Sequence, residues 1–569
     1  MKYIVKVYIG SKQKYIFSSN RLKEIIGASE IIKYVTENLG KQVLKRMGKN
    51  EDYYTGNNKG NIFFQAGGNA MYIFDTKDEA KRFNEIFSKF VIKYFDGLEL
   101  LMVIKEFDIE KKKIVDLYDE IENILTIKKG NKKNQFKRIG YGLSKICEST
   151  RKPAGYLYKD SDNKNKFVSK ESNDKLSFYN YIYKDAMYYD EEKKIKYTID
   201  IDKSQNEIEK DKIKSFETEF ELESNFKFTE KLNSIAGENN EGSYIGITCI
   251  DGNGMGKKFN SFNEKYKTVK QEDIFKSNIN YINEFRKLTI EVEDSYKRAF
   301  NETLKELVRN YENYYKNINY DDKDKIVPIR PIILAGDDIT FVSNGKIAIE
   351  ITRIFTEKIT NVKVKFGDNQ YNLTTSAGIA IVKKNHPFSR AIKLAGSLEK
   401  NSKKKLKSMK SIIEKEGIKG QKDASFIDWE INRGDTLDDI SIIRNKNLVA
   451  KPCILVAKPY IIVPKKEGKS QNVFNINDKD QYEILGKIIN YNFGNFYAVL
   501  NGINESDAKS NLKSFFRTMN SQEVDADLFY LKYNLKNKIK GDINPYILKQ
   551  VLYDAIDVMD LYTYVKGEE

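Results

Sequence analysis

The sequence predicts an α/β chain with two related α/β units, a charged insertion between them and a mostly helical region after them. Three observations carry this. Short apolar runs of strand length alternate with longer segments whose apolar residues recur at helical spacing. A strand pair around a short glycine turn occurs in each unit, as "NIFFQAGGNAMYIF" and "RPIILAGDDITFVS". Between the units the composition turns to Lys, Asp, Glu, Asn and Ser. The expected divisions are 1–155, a degenerate first unit; 156–238, the insertion; 239–415, the second unit; and 416–569, mostly helical.

In chain order, "MKYIVKVYIG" alternates as a strand and lacks the long apolar core of a leader. Leu22, Ile25, Ile26, Ile32 and Val35 then fall on one helical stripe. The first hairpin follows, with Gly67 and Gly68 at its turn, then a helix over about 77–94 and a strand at "LMVIKEF". The insertion reads as partly helical. In the second unit "SYIGITCI" is a buried strand ended by "DGNGMGKKF", and a long helix over 271–316 carries Ile282, Phe285, Val292, Tyr296, Phe300, Leu304, Leu307 and Tyr311 on one face. The second hairpin, a helix near 346–360, the strand "LTTSAGIAIV" and a helix over about 388–410 complete it. "SFIDWEINRG" opens the final region, which turns helical from about 480.

Composition narrows the chemistry. The single histidine, His386, excludes Ser-His-Asp and multi-histidine metal sites within the chain and is expected to be a loop or packing residue. Cys147, Cys249 and Cys453 stand far apart, which gives no disulfide framework and suits a reducing cytoplasm. No apolar run reaches the ~20 residues of a membrane span, so no membrane partner is expected. The net charge of +16 suits phosphate-bearing partners such as nucleotides or RNA, although interspersed charges of both signs are also what solvated faces look like.

The chemistry concentrates at two places. Asp337 and Asp338 sit at the tip of the second hairpin, and Asp251 ends the strand before it. If those strands are neighbours, three carboxylates converge, and a divalent cation is the natural way to relieve their repulsion. Two Mg²⁺ or Mn²⁺ ions held there would suit phosphoryl or nucleotidyl transfer. Gly252, Gly254 and Gly256 leave backbone amides open beside Asp251 for a triphosphate, with Lys257 and Lys258 next in line. Alone, either motif is also what an ordinary turn looks like; together and in this order they point to a site.

The blocks "YIFSSNRLKEIIGASE", "QAGGNA", "CESTRKPA", "DGNGMGKKF", "RPIILAGDDITF", "TTSAGIAIVKKNHPFSRA" and "KPY" resemble, in the same order, the palm-domain large subunit of type III CRISPR effector complexes. The resemblance implies two palm domains of ferredoxin-like, nucleotidyl-cyclase type and a nucleotidyltransferase that turns ATP into cyclic oligoadenylate messengers in antiviral defence. It implies two metal ions on Asp251, Asp337 and Asp338, assisted by the backbone near Ile250 and Gly252. Ser376 would face an adenine, Lys403 would lie near the triphosphate, and Asn253 and Gly336 would line the nucleotide pocket.

Two departures matter. Ala335 replaces the first glycine of the family's Gly-Gly-Asp-Asp turn, which an alanine tolerates only at negative φ. The first unit has "AGGNA" where acids would be needed, so its expected role is to complete a composite pocket. One histidine and three scattered cysteines leave no residues for the histidine-aspartate nuclease or zinc ribbon of larger members. Competing readings are a non-catalytic, RNA-binding structural subunit of such a complex and a diguanylate-cyclase-like enzyme. Product ring size, the activating signal and oligomeric state are not written in the sequence.

Overall fold

The computed structural model describes residues 1–56, 60–131, 144–159, 165–183, 197–201, 204–208, 243–268, 273–318, 325–415, 423–433, 456–462, 491–504 and 545–565, with short pieces within 215–237, 440–470 and 511–513. The first unit comprises β1 (Lys2–Gly10), α1 (Lys12–Ile16), α2 (Leu22–Glu37), α3 (Leu39–Arg46), β2 (Ile62–Ala66), β3 (Asn69–Phe74), α4 (Lys77–Tyr94), β4 (Glu99–Phe107) and α5 (Ile114–Gly130). Its sheet runs β2-β3-β1-β4, every neighbour antiparallel. This is the βαββαβ order of a ferredoxin-like fold.

The insertion supplies the ribbon β5 (Tyr156–Lys159) and β6 (Asn165–Val168), α6 (Lys170–Tyr183), the ribbon β7 (Thr198–Ile201) and β8 (Ser204–Glu207), and α7 (Leu232–Ala236). It is more deeply built in than its composition suggests. Leu176, Phe178 and Tyr179 of α6 are buried, and α6 packs along α2. The charges at this crossing are matched: Lys175 Nζ reaches Glu171 Oε1 at 2.6 Å and donates to the Tyr15 carbonyl (2.6 Å) and Ser18 Oγ (2.7 Å). A buried ion pair satisfied this fully is structural, and composition alone cannot distinguish it from a solvated one. At the foot of the first ribbon the hydroxyls of Thr150 and Ser169 lie 2.8 Å apart, beside the buried Cys147.

The second unit follows as β9 (Tyr244–Gly252), α8 (Met255–Lys267), α9 (Ile274–Arg309), α10 (Tyr311–Tyr314), β10 (Ile329–Ala335), β11 (Asp338–Asn344), α11 (Ala348–Thr360), β12 (Lys363–Phe366), β13 (Asn369–Asn372), β14 (Thr375–Lys383) and α12 (Phe388–Lys415). The order β10-β11-β9-β14 repeats that of the first sheet. The sheet does not stop at residue 415. After α12, β15 (Ser425–Asn432) joins β14 in parallel, and the strand Tyr460–Ile462 closes the edge. Every residue of β15 is buried, because Trp429 packs on Tyr460 and Phe496 while Asp428 and Glu430 meet Arg444. The segment "SFIDWEIN", expected to open the helical region, is thus a sheet strand, as its period-two apolar alternation allows. The helices Phe493–Asn504 and Pro545–Val558 pack together beyond that edge.

Two apolar clusters flank the second sheet. Ile250, Ala377, Ile379 and Ile381 face α9 and α11, whereas Ile247, Cys249, Ala380 and Val382 pack with Ala391, Leu394 and Leu398 of α12. No helix among the described residues is long and apolar enough to cross a membrane.

Candidate active site at the hairpin tip

The strand register decides which site residues meet. Ile339 of β11 pairs with Ile250 of β9, and Asp251 pairs with Ser376 of β14. Asp338 is therefore one step beyond a paired position, beside Asp251. Alternation from Cys249 and Ala380 puts Asp251, Asp338 and Ser376 on the face that α12 covers. Ala335 pairs with Asp338 at the end of β10, in strand conformation, and Gly336 takes the positive φ, +65°. The missing first glycine therefore costs the turn nothing: the position that needs a glycine still has one.

Asp337 leaves the turn in another direction. A Cβ on Gly252 would lie 2.7 Å from Asp337 Cβ and 2.8 Å from the Tyr296 hydroxyl, so Asp337 nests against bare backbone and the buried α9 face. Burial raises the Asp337 carboxyl above its usual range, while Lys12, Lys258 and backbone hydrogen bonds pull it back. Asp338 is pushed up to about 6, by burial and by Asp337, against the pull of Lys12. Glu399, on α12, is pushed up to about 7 by burial and by the charge of Asp338.

Helix α12 reaches this rim because β14 carries Gly378, where a Cβ would strike the Ala395 carbonyl and the Glu399 amide at 2.2 Å. That approach brings Lys403 onto the Asp251 carboxylate and within 2.9 Å of Glu399. Among the described residues no group of three or more His, Cys, Asp or Glu side chains lies close enough to hold a metal ion. The expected convergence of Asp251, Asp337 and Asp338 on one point is accordingly not the arrangement here. Asp251 is instead paired with Lys403, whereas Lys12 and Lys258 exert only a longer-range pull on Asp337, and Lys12 on Asp338, with Lys258 itself 3.6 Å from Asp423.

The other expected positions divide. Gly254 (φ +66°) caps α8 without a side-chain partner, and Gly254, Gly256 and Lys257 are exposed, leaving the helix N-terminus open to an anion. The backbone of Ile250 and Gly252 borders the acids, as expected. Asn253 and Ser376 are buried and committed to each other. The Ser376 hydroxyl donates to Asn253 Oδ1 (2.8 Å), Asn253 Nδ2 donates to the Ala424 carbonyl (3.1 Å), and the Asn253 amide donates to the Thr374 carbonyl (2.8 Å). They shape the loop from beneath rather than offering free groups to a base. Lys258 is likewise buried, donating to the Asn372 carbonyl at 3.1 Å.

Lys12, Tyr296 and Glu399 border this site; the sequence marks Tyr296 only as part of a helical stripe and does not single out the other two. Glu399 and Lys403 are spaced i, i+4, a signal for sharing a helix face, but only the close packing at Gly378 aims that face at the acids.

Residues 244–413 match the family model described as Cas10/Cmr2, second palm domain. No protein of curated function matches the chain by sequence. Among solved structures, the Csm1–Csm4 cassette in complex with pppApApA has a TM-score of 0.46 at 13% identity, covering 100% of this chain and 69% of that one. The cassette in complex with cA4 has a TM-score of 0.45 at 12% identity, with 98% and 69% covered. The cassette with one ATP has a TM-score of 0.38 at 14% identity, with 72% and 53% covered. The segment 244–413, with its βαββαβ order and acidic hairpin tip, is thus similar to the second palm domain of Cas10/Cmr2.

Proposed function

We propose that the chain is a metal-dependent nucleotidyltransferase that converts ATP into cyclic oligonucleotides, most simply oligoadenylates, as messengers in antiviral defence. One observation carries the reading. In a Cas10/Cmr2-type palm, an aspartate pair at a hairpin tip stands one strand from Asp251 and beside an uncapped, exposed helix N-terminus. Asp337 and Asp338 stand there with carboxyls raised by burial, an arrangement that stability alone does not favour.

The donor chemistry suits Mg²⁺ or Mn²⁺, being anionic oxygen from Asp251, Asp337 and Asp338 with the Ile250 carbonyl nearby and no imidazole or exposed thiol. When bound, two such ions would acidify a ribose hydroxyl and neutralise charge on the departing pyrophosphate. The chain does the rest. Asp251 and Asp338, on adjacent strands, fix the cation-binding oxygens on one face. The exposed amides of Gly254 and Gly256 receive phosphate oxygens. Lys403 exchanges Asp251 for the triphosphate once the acid is otherwise neutralised. The ribose oxygen then bonds to the α-phosphorus of a second ATP, the bond to pyrophosphate breaks, and the hydroxyl proton passes to solvent. Repetition and ring closure give the product. RNA and other subunits of a type III CRISPR effector are the partners this reading implies.

The test is incubation of the purified chain with ATP and Mn²⁺, with pyrophosphate release followed and products weighed by mass spectrometry. The Asp337→Ala/Asp338→Ala variant should stay folded and release none. Synthesis retained in that variant removes the acid assignment, and a wild-type chain inert with every nucleoside triphosphate removes the enzymatic reading in favour of a structural, RNA-binding subunit.

A further inference from the structure

The outer face of α12 carries a charge that the rest of the fold leaves unanswered. The helix holds nine Lys and Arg residues against two acids, a net +7 out of the chain's +16. Three of its lysines are used locally: Lys403 meets Asp251 and Glu399, Lys410 lies 2.7 Å from Asp423, and Lys405 stands over the Tyr491 ring. Lys393, Lys400, Lys404 and Lys407 are exposed and make no ion pair among the described residues. Their helical spacing puts all four on one stripe about 20 Å long, opposite the face that Leu394, Leu398 and Met409 bury. Like charges one turn apart repel and weaken a helix. Elsewhere the chain avoids this. On α9 Lys297 and Lys305 have Glu293 and Glu302 one turn back, and on α11 Arg353 sits between Glu350 and Glu357. Between Lys400 and Ile413 there is no acid at all. Gly396 interrupts the same helix between Lys393 and Lys400. A Cβ there would meet nothing within 4 Å, so no neighbour in the fold requires a glycine. Glycine nevertheless costs a helix interior about 1 kcal/mol relative to alanine, and its usual return is close approach of the backbone to a ligand.

We propose that the outer face of α12 is a docking surface for single-stranded RNA, whose phosphates Lys393, Lys400, Lys404 and Lys407 hold and whose backbone comes closest at Gly396. The surroundings of the charges favour RNA over an acidic protein. No large apolar side chain is exposed on α12, whereas protein interfaces have apolar cores and are poor in lysine. Nucleic-acid interfaces are polar and strongly positive. The contacts go to phosphate, so the face reads no sequence. The inference rests on the RNA partner named above and deepens it by giving that partner a surface. The same helix carries Lys403 on its acid-facing side, so a docked strand lies about one helix diameter, roughly 10 Å, from the acids.

The test is the fluorescence anisotropy of a labelled single-stranded RNA titrated with the full chain over a salt series. Lys400→Gln/Lys404→Gln/Lys407→Gln should weaken binding about tenfold at low salt and reduce the slope of log affinity against log salt by about 2. The corresponding triple arginine variant should bind no more weakly than wild type. Lys77→Gln/Lys81→Gln/Lys89→Gln, at exposed positions of α4, removes the same charge and should change affinity by less than about twofold. Gly396→Ala should melt slightly above wild type, reporting an intact fold, and bind RNA about three- to fivefold more weakly. RNAs of unrelated sequence should lose affinity alike. Affinity and slope unchanged in the α12 glutamine variant overturn the proposal, as does an equal loss in the α4 variant or a loss that depends on sequence. Unaltered binding in Gly396→Ala overturns the close approach there. Polyglutamate bound as tightly as RNA, and released by the same substitutions, overturns it in favour of an acidic protein. If the expected pattern holds but the wild-type chain turns over no ATP, the docking face stands and the catalytic reading falls; product made by a chain that binds no RNA does the reverse.

Discussion

Replacing Asp338 by asparagine should stabilise the metal-free chain more at neutral pH than at mildly acidic pH. In the fold this carboxyl moves from 3.8 to about 6, chiefly by desolvation. The folded chain therefore keeps a proton between roughly pH 4 and 6 that the unfolded chain has released, so stability falls as pH rises through that window. Above it the full penalty is present. A shift from 3.8 to about 6 corresponds to about 3 kcal/mol at most, and water at the partly open rim reduces this to about 1–2 kcal/mol. Asparagine keeps the shape and removes the charge. For a unit of this size a gain of that order raises the melting temperature by roughly 2–6 °C. The assay is thermal unfolding of wild type and Asp338→Asn with a chelator present, at pH 7.5 and at pH 5. The variant should gain at pH 7.5 and gain about half as much at pH 5, in the middle of that window. A loss at pH 7.5, or an equal gain at both values, refutes the electrostatic account of the tip.

Three further outcomes follow from packing. Gly252→Ala forces a methyl into the Asp337 and Tyr296 contacts; it should cost about 1–3 kcal/mol and weaken Mn²⁺ binding, read by urea unfolding and by titration. Asp554→Ala orphans the Ala457 and Lys458 amides and the Tyr460 hydroxyl, which all bond to Asp554 Oδ2 at 2.9–3.1 Å. A loss of about 3–5 kcal/mol is expected, with faster proteolysis of the C-terminal helices. Cys147, Thr150, Ser169 and Ser172 have the spacing of two i, i+3 ligand pairs, and the hydroxyls of Thr150 and Ser169 already touch. Thr150→Cys/Ser169→Cys/Ser172→Cys should bind one Co²⁺ with tetrahedral thiolate absorption, whereas wild type shows none.

Much of this architecture is written locally. Period-two runs give β1, β9 and β14, the stripe from Ile282 to Leu307 gives α9, and the glycine turns give both hairpins. The acids were legible for the same reason, lying beside strand ends within a few residues of glycines. What the sequence could not disclose depends on partners distant in the chain. Lys12 and Asp338 are separated by more than three hundred residues, and nothing in the sequence near the half-buried Lys12 marks it out from the chain's exposed lysines. Glu171 and Lys175 have the composition of a solvated face and are buried only because α2 lies across them. Ser376 differs again: it lies opposite Asp251 in the sheet, and only the fold shows that its hydroxyl is engaged by Asn253.

The contact between the glycine turns also constrains how the protein can evolve. A unit without acids at its hairpin tip would ordinarily be free to drift, yet its Gly67 turn lies against Ala335 of the other half and its Gly68 against the Lys12 stem. Neither half can be exchanged for that of a distant relative without remaking the seam, so chimaeras should join outside both, and the first unit is inherited together with the second.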